Sequence, residues 1–344
     1  MQTVPARPPR DVRLDIVRGW LQLSIFASHA HGSFIGGWLI HAAWGLSDSS
    51  ELFVFLSGFT LGSVFARRES GGGWRAGTVD LLGWNFLFAH SRRAVPAALV
   101  MLYQPADMGI LPVFVWCMLL LPGFAVALRR WGGVAMALPV ACYAAVWLFG
   151  LGLPSLDPDG EIAFNPFAWQ ILFLGGAWLG RRALLGGQAL NLPLPALRVV
   201  LAAALAVLAA GLVMRLTWYG FAPWPAPFGE LYWIEGKQDL AVPRLAHALA
   251  LAFVVAALVP RDAAWMHRAV PRAVARIGQY SLEVFCLGLF LSWGATAVFR
   301  LLPAQGAGFV AQDVLLTGAG SAALAGFADW LEHRRRGRRF TARP

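Results

Sequence analysis

At 344 residues the chain is 58% hydrophobic and only 13% charged, about half the charge of a soluble domain, which excludes an ordinary water-soluble globule. Its net charge of +10 is scattered in short clusters between apolar runs, so a nucleic-acid-binding surface is excluded too. Three cysteines, each inside an apolar stretch and without paired or metal-like spacing, point to packing rather than to a disulfide framework or a metal centre.

Apolar runs near 20 residues recur along the whole length, which predicts an all-α polytopic membrane protein with about ten transmembrane helices. Their centres fall near Ile25, Phe55, Ala94, Leu119, Val146, Phe173, Leu205, Phe253, Leu289 and Leu324. The first run lacks a small-residue cleavage site and is followed at once by another, so no cleavable signal peptide is expected. The connections alternate in charge. One set holds Arg7, Arg10 and Arg13, then Arg67, Arg68 and Arg75, Arg129 and Arg130, Arg181 and Arg182, Arg261 to Arg276, and the tail "HRRRGRR". The other set includes "GGWLIHAAWG", "QPADMG" and "LPSLDPDGEIAFNP", none of which contains Lys or Arg; the exceptions, Arg215, Lys237, Arg244 and Arg300, all lie near outer ends. The positive-inside rule then puts both termini in the cytoplasm. Residues 1–13 become an N-terminal tail, 14–332 a transmembrane domain and 333–344 a basic C-terminal tail.

The first span carries ionisable groups that lipid does not tolerate without reason. Arg18 and His29 are eleven positions apart, about 1100° of helical rotation or three turns plus roughly 20°. They therefore share a face, Gln22 lies on the same stripe, and His31 points away. The second span opens with "SDSSELFVFLSG", in which Asp48 and Glu51 share a face. A short hairpin brings Glu51 to about the depth of His29, where a carboxylate orients an imidazole. Ser57 in that span reads as helix packing. The third span holds His90, Arg92 and Arg93 mid-window. Facing lipid they would cost about 2.5–3.5 kcal/mol each, so they face protein, water or an anionic ligand.

Further along, Asn165, Trp169 and Gln170 lie where an outer loop enters the sixth span; they bind sugar or serve as an interface anchor. Lys237, the only lysine, is followed by Arg244 and His247. This group holds an anionic acyl group, orients a sugar, or pairs with Glu235 and Asp239. Glu283 is a candidate to neutralise Arg92 or Arg93. The chemistry that suits such a set is acyl transfer. A neutral histidine takes a proton from a sugar hydroxyl attacking a thioester, and an inward-lying arginine grips a donor's phosphate or carboxylate.

Arg18 and His29 resemble the R-x10-H signature of the acyltransferase-3 superfamily, and "ELFVFLSGFTLG" resembles its second-helix segment. In order, "RLDIVRG", "SDSSELFVFLSG", "DMGILPVF", "NPFAWQILFLGGAWLG", "PRLAHALALA" and "SLEVFCLG" resemble the integral membrane acyltransferases that succinylate osmoregulated periplasmic glucans. The resemblance runs from Arg10 to about Gly326. It implies a multi-pass enzyme of the bacterial inner membrane. That enzyme would move a succinyl group from cytoplasmic succinyl-CoA to hydroxyls of a periplasmic β-glucan, with no tightly bound cofactor and no metal. It makes His29 the essential histidine, as general base or transient acyl carrier, and Arg18 its partner. Asp48 and Glu51 fall in the second-helix motif, and Arg92 and Arg93 become candidates for CoA phosphates. A homo-oligomer is left open. So are an acyltransferase for another envelope polysaccharide and a non-enzymatic sugar transporter, although no internal repeat favours the latter.

Overall fold

The helices follow the apolar runs because a chain leaving water must satisfy its backbone polar groups within each segment. The structure, a computed structural model, describes residues 11–68, 109–154, 164–186, 192–221, 236–260 and 263–341. Within these residues the helices are α1 (Val12–His29), α2 (Phe34–Trp38), α3 (Ser49–Arg68), α4 (Ile110–Trp131), α5 (Ala137–Phe149), α6 (Pro166–Gly186), α7 (Leu194–Trp218), α8 (Val242–Leu258), α9 (Ala269–Gln279), α10 (Ser281–Leu301) and α11 (Ala307–Thr341). Three 3-10 turns, at His41–Trp44, Gly132–Met136 and Ala264–His267, complete the set, with no strand among the described residues. Every expected span centre within these residues falls in a helix. The third span, with His90, Arg92 and Arg93, lies outside them.

Four described stretches are long and apolar enough to cross a membrane: Ile110–Phe149, Leu194–Trp218, Ser281–Leu301 and Ala307–Arg336. The apolar part of α3, Ser49–Phe59, and α8 are shorter. The basic segment expected as a C-terminal tail continues α11 to Thr341.

The chain divides into two compact units. One comprises Pro9–Phe53, Arg198–Gly229 and Ala246–Pro344. Its first helix starts at Asp11, whose carboxylate caps α1 by accepting the Arg13 backbone N–H at 3.1 Å. The polar and apolar sides of α9 differ sharply: Ala275, Ile277 and Gly278 are buried. This helix crosses α1 with backbone nearly touching backbone. A β-carbon on Gly19 would overlap the Val274 carbonyl, and one on Gly278 would overlap that of Asp15.

Helix α10 runs parallel to α1. Arg18 donates to the Ser281 hydroxyl, Ser292 Oγ donates to the Phe26 carbonyl at 3.0 Å, and Thr296 Oγ1 to that of His29 at 3.4 Å. Helix α11 runs the other way. Asp313 accepts from Ser33 Oγ at 2.7 Å and the Ile35 N–H at 2.8 Å, while Tyr280 donates to Glu332 at 2.5 Å. The C-terminal end of α8 meets the start of α1, where Arg13 donates to the Val259 carbonyl at 2.5 Å. Phe26, Ile277, Tyr280, Val284, Leu324 and Ala328 form the core between these helices. One end of the unit thus gathers Arg13, Arg18 and Arg276, the last paired with Asp329. The opposite end carries His29, Ser33 and Asp313.

The other unit comprises Met1–Pro8, Val54–Leu197 and Glu230–Leu245. Here α6 lies against α3 through Gly176 and Gly180, a small-xxx-small pair seated on the Phe55 and Phe59 carbonyls. Helices α5 and α6 are antiparallel: Gln170 meets Pro139, and Cys142 meets Phe167.

Candidate active site

His29 is the last residue of α1; the chain turns at Gly32, whose φ of 106° suits glycine alone. Near a helix C-terminus a histidine can bond a carbonyl of its own last turn, and His29 Nδ1 lies 2.7 Å from the Ile25 oxygen. A neutral imidazole that donates through Nδ1 carries its lone pair on Nε2. That is the tautomer a base requires, and the ring is half-buried.

Two turns back, Gln22 is 2% exposed, and its amide nitrogen has no hydrogen-bond partner among the described residues. One turn further, Arg18 meets Ser281 at the first residue of α10. The stripe expected on one face therefore follows the parallel α1–α10 seam. At its middle sits a donor whose burial without a partner costs about 1–3 kcal/mol. His31 leaves the stripe: its side chain is exposed and its N–H bonds Thr296 Oγ1 at 2.9 Å.

Asp48 and Glu51 pair with the backbone at the start of α3. Glu51 is fully buried and accepts the Asp48 backbone N–H at 2.8 Å, while Asp48 Oδ1 accepts the Ser50 N–H at 2.7 Å. This reciprocal pair is a capping box at the start of α3, and D-x-x-E ahead of an apolar run is its sequence signature. At His29, Nδ1 meets the Ile25 oxygen within α1.

His247 is a strut. Its Nδ1 lies 2.7 Å from Ser47 Oγ, and both residues are buried. Gly45 and Gly211 cover the ring on two sides; a β-carbon on Gly211 would sit 2.7 Å from Cδ2. Arg215 Nε donates to the Gly45 carbonyl at 2.8 Å. The imidazole thereby ties the hairpin after α2 to α7 and α8. Ser47 was not legible in the sequence; the two glycines at a histidine's faces were its only trace. In the same hairpin both His41 ring nitrogens are buried without a partner among the described residues. Burial pushes the His41 pKa down, and nearby Asp48 partly opposes this.

In the other unit, Asn165 caps α6 by accepting the Phe167 N–H at 3.1 Å. Its amide donates to the Leu151 carbonyl and to Asp239, both at 2.8 Å. Trp169 is fully buried and donates to the Lys237 carbonyl at 2.9 Å. Gln170, 2% exposed, donates to the Pro139 carbonyl at 2.8 Å. These three side chains bind segment 236–241 and α5 to α6. Asp239 is engaged by Asn165. Lys237 is exposed, its Nζ 5.3 Å over the Phe164 ring. Arg244 is half-buried at the start of α8, and Glu283 is exposed in the first turn of α10. The described residues hold no cluster of His, Cys, Asp and Glu fit for a metal ion.

The sequence matches the OpgC protein family over residues 10–83 and 76–336. No curated protein and no solved structure matches.

Proposed function

The chain belongs to the OpgC protein family, and from that premise we propose that it is a membrane-embedded O-acyltransferase. In this proposal it moves a succinyl group from cytoplasmic succinyl-CoA to hydroxyls of osmoregulated periplasmic glucans. Family membership makes it a glucan-modifying transferase, and its apolar helices make it a membrane protein. The donor, the acyl group and the chemistry below are the proposal.

The carrying observation is the position of His29 Nδ1, 2.7 Å from the Ile25 oxygen, which in a neutral imidazole leaves the lone pair on Nε2. Nε2 takes the proton of a glucan hydroxyl as its oxygen attacks the thioester carbonyl. The C–S bond breaks, and the imidazolium returns the proton to the leaving thiolate, giving the ester and free CoA. The donor's pantetheine arm lies along the stripe, where the unfilled Gln22 amide donates to it. Arg18, about three turns back from His29 along α1, holds a phosphate. Arg244, Lys237, Arg92 and Arg93 remain candidates for the anionic ends of donor or acyl group.

The direction of the helices supports this orientation. The start of α1, the end of α8, the α9–α10 junction and the end of α11 meet at one arginine-rich end. Under the positive-inside rule that end is cytoplasmic, which puts both termini inside the cell, His29 toward the periplasm, and suits a ten-span chain in the bacterial inner membrane. The test is His29→Ala, expressed in cells lacking their own copy, with mass spectrometry of the periplasmic glucans. Succinate should fall at least about 10²-fold while the protein reaches the membrane in normal amount. Full succinylation by that variant would overturn the proposal.

A further inference from the structure

Beside His29 lies a group of side chains that the chemistry does not use. Trp38 stands 4.7 Å from Tyr219, 6.1 Å from Trp44 and 6.4 Å from Phe34, centre to centre. Phe221 adds a fifth ring 6.2 Å from Tyr219. Aromatic side chains of this size are expensive to leave in water, yet Phe34 is 48% exposed, Trp44 38% and Phe221 64%.

Aromatic residues at a membrane surface ordinarily act as anchors, with ring in the lipid and N–H or O–H at the headgroups. Here the polar tips of Trp44 and Tyr219 turn inward. Trp44 Nε1 donates to the Trp38 carbonyl at 2.8 Å, and Tyr219 Oη donates to the Ala43 carbonyl at 2.9 Å. What Trp44 and Tyr219 leave outward is ring area, held by the bonds behind it. The surrounding segment, "SFIGGWLIHAAWG", contains no Asp, Glu, Lys or Arg. An anionic lipid surface calls for Lys and Arg; an uncharged aromatic platform suits a neutral ligand with a flat apolar face. The platform is fixed next to the base, because Gly36 seats α2 directly on the Ala27 carbonyl in the last turn of α1.

We infer that Trp38, Trp44, Tyr219 and Phe34 form the acceptor subsite, stacking on the C–H faces of pyranose rings so that a neighbouring hydroxyl is presented to His29. A β-linked glucose unit carries its hydroxyls equatorially and exposes an apolar C–H face, which matches ring faces of this kind. This inference rests on the glucan-acylating reading and adds where the sugar sits.

The experiment uses the full-length protein in lipid nanodiscs without acyl donor, titrated calorimetrically with a linear, unsubstituted β-glucan oligosaccharide. Trp38→Ala and the peripheral Phe34→Ala should each weaken binding, the former about tenfold, and Trp38→Phe should keep most of the affinity. Phe34→Ala, at an exposed ring, keeps the test meaningful if Trp38→Ala does not fold. Unchanged affinity in both alanine variants, with the wild type binding glucan, would overturn the subsite while leaving the acceptor assignment standing. Unchanged affinity together with weakened retention in the bilayer would identify a lipid anchor and also overturn it. A wild-type protein that binds no glucan would bring down the subsite and the acceptor assignment together.

Discussion

Two regions put amides and aromatic or basic groups into apolar segments, and they resolve them in opposite ways. Around α6, the amides of Asn165 and Gln170 and the indole of Trp169 all donate to carbonyls or a carboxylate of the same unit. Along α1, the amide of Gln22 is just as buried yet has no partner among the described residues, and His29 aims its Nδ1 at its own helix. Polarity within a membrane segment marks a position with a purpose. Hydrogen-bond satisfaction tells architecture from chemistry: a completed set of bonds braces the fold, whereas an unfilled buried donor awaits a ligand or water.

The contrast can be broken hardest at the seam itself. Gly19→Val would push a side chain into the Val274 carbonyl and should cost about 3 kcal/mol, read as a lowered unfolding temperature and reduced folded protein in detergent. A crossed pair of substitutions sharpens the comparison next. Gln170→Leu removes the bond to the Pro139 carbonyl and should lose about 0.5–1.5 kcal/mol of stability while leaving the KM for the acyl donor unchanged. Gln22→Leu should do the reverse, keeping or raising stability while kcat/KM drops about tenfold; the same pattern in both variants would dissolve the distinction. The smallest effect concerns His41 in the outer hairpin. Burial holds its pKa below 6.5, so the unfolded chain binds the proton more readily. Its contribution is complete above pH 6.5 and declines as pH falls below that value. His41→Phe should flatten this dependence in thermal unfolding curves recorded above and below pH 6.5.

The capping box shows how one motif can carry two readings. "SDSSE" announced two acids on one face, and the same letters announce a helix start. Choosing between them requires knowing that the Glu51 carboxylate returns to the Asp48 N–H. The α6 brace was less legible, because segment 236–241, which occupies Trp169 and Asn165, lies some seventy residues downstream.

By itself the sequence determined that the chain is helical, where the described apolar helices lie, and that Arg18, Gln22 and His29 share a stripe. These follow from hydropathy and helical rotation, which act between near neighbours. Only the tertiary structure decided which polar groups are satisfied, that His247 is clamped between two glycines, and that four aromatic rings from separate segments share one surface. Such outcomes depend on partners far apart along the chain, 263 positions in the case of Arg18 and Ser281, and a hydrogen bond forms only where the fold delivers both atoms.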